Sequence, residues 1–322
     1  MRLRLVPQET SFDFFGKAKL WLGLSALLLV IGIASFALQG LNFGIDFRGG
    51  TTIRTEASEP VDVGAYRDAL AVHQLGDISI TEVFDPAFDD DQHVSQIRIQ
   101  AQEGGEAISG EMIEQLNQSL DAVAPGIKFA AVESVGPKVS GELIKTAVLA
   151  VALAIAAVLV YIWLRFEWQF ALGAVAALVH DVVLTIGVFA ALQIKFDLAI
   201  IAALLTIVGY SLNDTVVVFD RVRENLRRYK KKDLAEVLNL SINETLSRTV
   251  MTSVTTLLAL ISLYVLGGDV IRGFVFAMIW GVIVGTYSSV FVASTILLKL
   301  GVKRDWSKQA NTTGNQFSNI DA

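Results

Sequence analysis

The sequence predicts a polytopic α-helical membrane protein: six membrane-crossing helices, with a small α+β domain between the first and the second. Three observations carry this. Apolar residues make up 53% of the 322 and charged residues only 18%, a balance foreign to soluble domains. The apolar residues gather in long uninterrupted runs, and a helix crosses a bilayer in about 20 residues. The segment after the first run is instead polar, with the short alternating patterns of strands and surface helices.

The first run, Leu20 to Leu38, follows a polar segment, 1–19. It is longer than a signal core and lacks a small-residue cleavage site, so it reads as a retained anchor. The segment 39–145 forms the inserted domain. Membrane helices two to six fall within 146–300, at Thr146 to Leu164, Phe170 to Leu192, Leu198 to Phe219, Val250 to Leu266 and Gly273 to Leu298. A basic loop, 221–248, separates the fourth from the fifth, and 301–322 is a polar tail.

Positive charge sets the orientation. Arg2, Arg4, Lys17 and Lys19 precede the first helix; Arg221, Arg223, Arg227, Arg228 and Lys230 to Lys232 follow the fourth; Lys303, Arg304 and Lys308 follow the last. All three groups are expected to be cytoplasmic, with both termini inside and the inserted domain outside. From Gly40 to Ser140 there are 17 acidic and 6 basic residues, net −11, whereas the remaining 15 acidic and 20 basic give net +5. The acidic part is the translocated one, and nothing points to nucleic acid.

Within the inserted domain, alternation predicts a strand at Thr51 to Glu56. A helix follows at Asp62 to Gln74 with Asp62 as its cap, then strands at Ile78 to Phe84 and Val94 to Ala101 around the acidic turn Asp89-Asp90-Asp91. A second helix, Ser109 to Ala122, and a strand, Ile127 to Val132, complete it. The order β-α-β-β-α-β is the ferredoxin-like arrangement. His73 and His93 lie in different elements, so no metal-ligand spacing arises. With no P-loop, nucleophile elbow, zinc-ligand helix or cysteine, no enzyme is predicted and no cofactor is expected.

Asp214 is the most informative residue. It lies in the C-terminal half of the 22-residue run Leu198 to Phe219, a helix about 33 Å long. An ionised carboxylate in lipid costs at least about 2.5 kcal/mol, so it faces a partner, a protein interior or a water-filled path. The alternative is an Asp tolerated at a helix interface. His180 and Asp181, near the middle of the third run, fit either a proton relay or pairing with a neighbouring helix. Asn213 and Ser211 are suited to hydrogen bonds across helices, and Gly281 and Gly285 to close helix packing. Asp220 is expected to pair with Arg221, Arg223 or Arg227. In the basic loop, Asp233 is placed to cap an amphipathic helix bearing Leu234, Val237, Leu238 and Ile242, lying at the cytoplasmic face against anionic lipid or a partner protein.

Two motifs are distinctive. Phe43-Gly44-Ile45-Asp46-Phe47-Arg48-Gly49-Gly50 opens the inserted domain; its glycines admit backbone angles closed to other residues, and Asp46 and Arg48 flank Phe47 as if to fasten the first helix to the domain. Gly209-Tyr210-Ser211-Leu212-Asn213-Asp214 leads into Asp220-Arg221-Val222-Arg223-Glu224-Asn225. Both resemble signatures of the SecF family of protein-export subunits, within the resistance-nodulation-division group, and with His180-Asp181 the resemblance covers nearly the whole chain. It implies an inner-membrane subunit that works with SecD, using the proton motive force to help draw preproteins from the SecYEG channel after SecA has driven them in, with YajC and YidC as further partners. It also implies a proton pathway through Asp214 and Arg248, the coupling ion being H+. From the residues alone, Arg248 reads equally as an interfacial cation with its head in water. A passive translocon scaffold and half of a small-molecule exporter are the alternative functions.

Overall fold

The structure, a computed structural model, describes residues 10–76, 78–86, 88–89, 92–101 and 108–302. Arg2, Arg4, Asp90, Asp91 and the tail from Lys303 onward lie outside the described residues. Among those described, six helices are long and apolar enough to cross a membrane. They are α1 (Ala18–Gln39), α5 (Pro137–Arg165), α6 (Trp168–Leu192), α7 (Leu198–Arg228), α8 (Leu234–Leu266) and a last unit built of α9 (Gly268–Ser288), a π turn (Ser289–Ala293) and α10 (Ser294–Leu300). The chain is thus a multi-pass membrane protein. The α6, α7 and α9 helices are central, whereas α1, α5 and α8 leave most of their apolar surface outward.

Small residues set the helix crossings. A Cβ on Gly187 of α6 would stand 2.5 Å from Gly32 Cα of α1, and one on Gly281 of α9 would stand 2.3 Å from Ile207 of α7. The first crossing is a backbone-to-backbone approach that needs glycine, and at the second the missing Cβ leaves room for the Ile207 side chain. Gly281 and Gly285 pack α9 on α7 as their spacing predicted.

The inserted domain has the predicted order: α2 (Ile45–Arg48), β1 (Gly50–Ala57), α3 (Val63–Ala71), β2 (Ile78–Val83), β3 (His93–Gln100), α4 (Gly110–Asp121) and β4 (Lys128–Val135). Its antiparallel sheet runs β2-β3-β1-β4, the ferredoxin-like order. Asp62 caps α3 by accepting from Ala65 N at 3.0 Å, and Ser109 caps α4 by accepting from Met112 N at 3.3 Å. One sheet face buries Ile53, Ile80, Ile97 and Ile99 against Tyr66 and Leu70 of α3 and Leu116 and Leu120 of α4. The other face is polar and turns toward the membrane helices. β2 stops at Val83 because Phe84 leaves the ladder: its N–H donates to Asp269 Oδ2 at 2.8 Å, and its carbonyl accepts from Asp269 N at 3.0 Å.

The stretch 221–248 corrects the sequence reading. It is not a loop: α7 continues to Arg228 and α8 starts at Leu234. The expected surface helix is the first part of α8, with Val237, Leu238 and Ile242 fully buried against Phe170, Phe219 and Leu297 rather than turned to lipid. Asn225 Nδ2 holds it, donating to Ser241 Oγ at 3.0 Å and Glu244 Oε2 at 2.6 Å, beside an Arg221–Glu244 bridge at 2.6 Å. The ion pair of Asp220 is with Arg165 of α5 at 3.2 Å, with Arg223 of its own helix close enough to feel its charge. Three residues on, Arg223 also turns to that corner, donating to the Arg165 carbonyl at 3.2 Å.

Candidate functional site

Two buried carboxylates share the middle of the helix bundle. On α7, Asp214 accepts from Thr249 Oγ1 of α8 at 2.6 Å through Oδ1, and from Ser289 Oγ of the π turn at 2.6 Å through Oδ2. On α6, Asp181 accepts from Ser211 Oγ of α7 at 2.6 Å and Ser288 Oγ of α9 at 2.7 Å, both through Oδ2, while its Oδ1 lies 3.0 Å from His180 Nδ1. Ser211 and Asp214 lie three apart on one face of α7, so the two clusters are stacked about 5 Å apart along the helix.

The local sequence explains the placement. Asp214 and Asp181 are 8% and 1% exposed, and every oxygen faces a hydroxyl or an imidazole, as burial requires. The hydroxyl donors also bond within their own helices: Ser288 to Gly285 O at 3.2 Å and Ser289 to Thr286 O at 3.1 Å. His180 stacks on Tyr287, ring centroids 6.1 Å apart, and Tyr287 Oη donates to Trp21 O of α1 at 2.7 Å. The His180 Nε2 atom is buried with no bonded partner among the described residues.

The remaining expected residues fall elsewhere. Arg248 is exposed, its side chain without a hydrogen bond or ion pair among the described residues; it lines an open cleft of about 530 Å³ with Arg221, Glu224 and Glu244. Its neighbour Thr249 is the residue that reaches Asp214. Asn213 is exposed and outside the cluster. Thr249, Ser288 and Ser289 escaped the sequence reading, because hydroxyls abound in apolar helices and only their facing a carboxylate distinguishes them.

The glycine-rich opening of the domain forms a second constellation. Gly44 N donates to Phe196 O at 2.8 Å, and Phe196 N to Asn42 O at 2.8 Å. Asp46 Oδ2 accepts from Leu198 N at 3.0 Å, capping the first turn of α7, since Asp197 makes no side-chain cap bond. Asp46 thus fastens the motif to α7, not α1 to the domain, and Arg48 is exposed. Gly49 and Gly50 have φ of 76° and 132°, and a Cβ on Gly50 would meet Ile99 O at 2.3 Å.

The sequence matches the C-terminal region of the protein export membrane protein SecD/SecF over residues 115–303 and the SecD/SecF GG motif over residues 34–61. Along its whole length it is 62% identical to the protein translocase subunit SecF of Cereibacter sphaeroides, covering 99% of that protein. This chain belongs to the SecF family. The SecF of Rhodobacter capsulatus is 56% identical over 324 aligned residues, covering 99% of this chain and 97% of that protein. The crystal structure of SecDF from Thermus thermophilus, a translocon-associated membrane protein, superposes with a TM-score of 0.80 at 36% identity, covering 93% of this chain and 40% of that one. A super-membrane-facing form of SecDF gives 0.68 at 36% identity over 96% and 41%. This SecF chain therefore spans about two fifths of the SecDF chains it resembles.

Proposed function

We propose that this chain is the SecF part of a proton-driven export machine, in which it pairs with SecD and helps move preproteins across the bacterial inner membrane through SecYEG after SecA, with the inserted domain outside and both termini in the cytoplasm. The shared length with SecDF supports SecD as the missing part. The chain acts by conformational work and not as an enzyme.

The observation that carries this reading is Asp214. It is buried within a membrane helix, yet its bonded partners among the described residues are two hydroxyls, with no cation. A carboxylate so placed can accept a proton and release it when water or a cation reaches it. Arg248 precedes Thr249 on α8 and offers a guanidinium cation one residue away from the hydroxyl that now bonds Asp214. A rotation of α8 that exchanges the Thr249 hydroxyl for the Arg248 guanidinium would expel the proton. Asp181 and His180 extend the polar path toward the inserted domain.

A scaffold reading rests on the same bonds, because they tie α6, α7, α8 and α9 together. Proton-gradient-dependent preprotein translocation in membranes carrying only Asp214→Asn separates the two, with membrane abundance and SecD co-purification as controls. The motor reading expects the gradient-dependent part to vanish with assembly normal; its persistence leaves the scaffold.

A further inference from the structure

The polar face of the sheet and the domain-side ends of the membrane helices enclose a cleft of about 530 Å³, beside a smaller pocket of about 190 Å³. Register places Arg54 opposite Gln96 and Arg98 opposite both Thr52 and Ser79, so these side chains share that face. Arg54 and Gln96 line the larger cleft; Arg48, Arg98 and Ser79 line the smaller. Only six cations lie between Gly40 and Ser140 against 17 acids, yet three of them, Arg48, Arg54 and Arg98, gather here.

Neighbouring carboxylates balance them only in part. Arg54 Nε and Arg98 Nε are buried with no acceptor among the described residues. Arg54 stacks over Phe88 at 5.4 Å. Of the two carboxylates lining the larger cleft, Asp269 is engaged by Arg272 and by the Phe84 N–H, and Asp197 lies 3.7 Å from Lys195 Nζ through one oxygen, while its Oδ1 is buried with no bonded partner among the described residues; Lys195 and Arg272 line the same cleft and add to its positive charge. Burial lowers the Arg98 pKa from its ordinary value, with nearby Asp197 opposing and Arg48 adding to that. Buried guanidinium N–H groups without acceptors are expensive to leave unmade, and guanidinium forks match phosphate oxygens.

The cleft also opens onto apolar surface. Tyr264, Phe274 and Phe276 line its wall, and beside it Leu192, Leu266 and Val270 are 58%, 69% and 70% exposed at the helix ends. An acidic polypeptide would satisfy the arginines but not this flanking face; a phospholipid satisfies both. We infer that the cleft seats the phosphate headgroup of a phospholipid from the domain-side leaflet, its acyl chains lying along the exposed ends of α6, α8 and α9. The lipid would then be a wedge between domain and membrane helices.

The full chain in neutral micelles, titrated with phosphatidylglycerol and read by native mass spectrometry, should retain one lipid. Arg54→Gln with Arg98→Gln should weaken retention roughly tenfold or more, while Arg227→Gln with Arg228→Gln at the opposite end should change it by about twofold or less. Diacylglycerol, with the same tails and no phosphate, should not be retained, and inorganic phosphate should not displace the lipid. Undiminished retention in the Arg54/Arg98 variant, equal binding of diacylglycerol, or displacement by inorganic phosphate or an acidic peptide overturns the inference. Should that variant not fold, phosphatidylglycerol with a photoreactive headgroup tests the unaltered chain. Adducts within 50–57 and 93–100 support the site, and adducts confined to the opposite helix ends overturn it.

Discussion

Ser288 and Ser289, neighbours in the chain, donate to two different carboxylates: Ser288 to Asp181 at 2.7 Å and Ser289 to Asp214 at 2.6 Å. Consecutive residues on a helix point about 100° apart, so one element can serve acids on two flanking helices, α6 and α7. The π turn begins at Ser289, and Ser294 Oγ, at the start of α10, donates back to the Ser289 carbonyl at 3.1 Å. Such wider turns recur at functional sites, where they realign side chains without breaking a helix.

Removing either hydroxyl from Asp214 tests how far that carboxylate depends on them. Thr249→Val and Ser289→Ala each delete one hydrogen bond to a buried acid, and each is expected to destabilise the chain by about 1–3 kcal/mol. Gradient-dependent preprotein transport should fall in both, and further in the double variant than in either. Thermal unfolding in micelles and transport into inverted vesicles measure the two effects; unchanged values in both assays would refute the arrangement.

Gly50→Ala introduces a methyl group 2.3 Å from Ile99 O at a φ of 132°. The expected loss is about 2–4 kcal/mol. Gly141→Ala on α5, where nothing lies within 4 Å, is the control and should be neutral or mildly stabilising. Comparing the two melting temperatures decides whether the close approach of β1 to β3 is obligatory.

Asp46 caps α7 from across the structure. Asp46→Ala should weaken the start of α7 by about 1 kcal/mol, with Asp46→Asn recovering most of it. Hydrogen exchange of the amides at 198–200 reads this directly: faster exchange in the Ala variant and near-normal exchange in the Asn variant are expected. Equal exchange in all three chains would remove the cap.

Asp13 gives a pH-dependent contact. Its Oδ1 accepts from Asn239 Nδ2 at 2.9 Å, Gly16 N at 2.9 Å and Phe15 N at 3.2 Å, and these bonds, the Asn239 one foremost, lower its pKa. Since the folded value lies below the unfolded one, the stabilisation is complete above the usual carboxylate value near 4 and is lost as pH falls through the lower folded value. Docking of the segment before α1 on α8 should loosen in acid, and Asp13→Asn should flatten that dependence. Trp21 fluorescence over an acid titration is the readout; identical curves for both chains would show that Asp13 plays no part.

Much of this was legible in the sequence. Hydrophobic run length gave the six crossings, and period-two alternation gave the four strands in order, since both patterns are local consequences of helix rise and strand pleat. The basic stretch 221–248 misled because charge there suggested a loop, whereas Asn225 and Glu244 bind across the two helices that the charges extend. For Asp220 the sequence points to its neighbouring arginines, of which Arg223 does feel its charge, but the helix turns its carboxylate toward Arg165 of α5 as the bridging partner.

Asp214 and Asp181 stand out in one dimension because burial in lipid is costly for any carboxylate, whatever surrounds it. Which atoms satisfy them is a different kind of fact. Thr249, Ser211, Ser288 and Ser289 are ordinary helix residues until α6, α7, α8 and α9 pack, and the same holds for the arginines gathered above the membrane helices. Sequence determines the expense of a buried charge, a property of the residue and its solvent; the tertiary structure alone decides its partners, because hydrogen bonds act over about 3 Å between groups far apart in the chain.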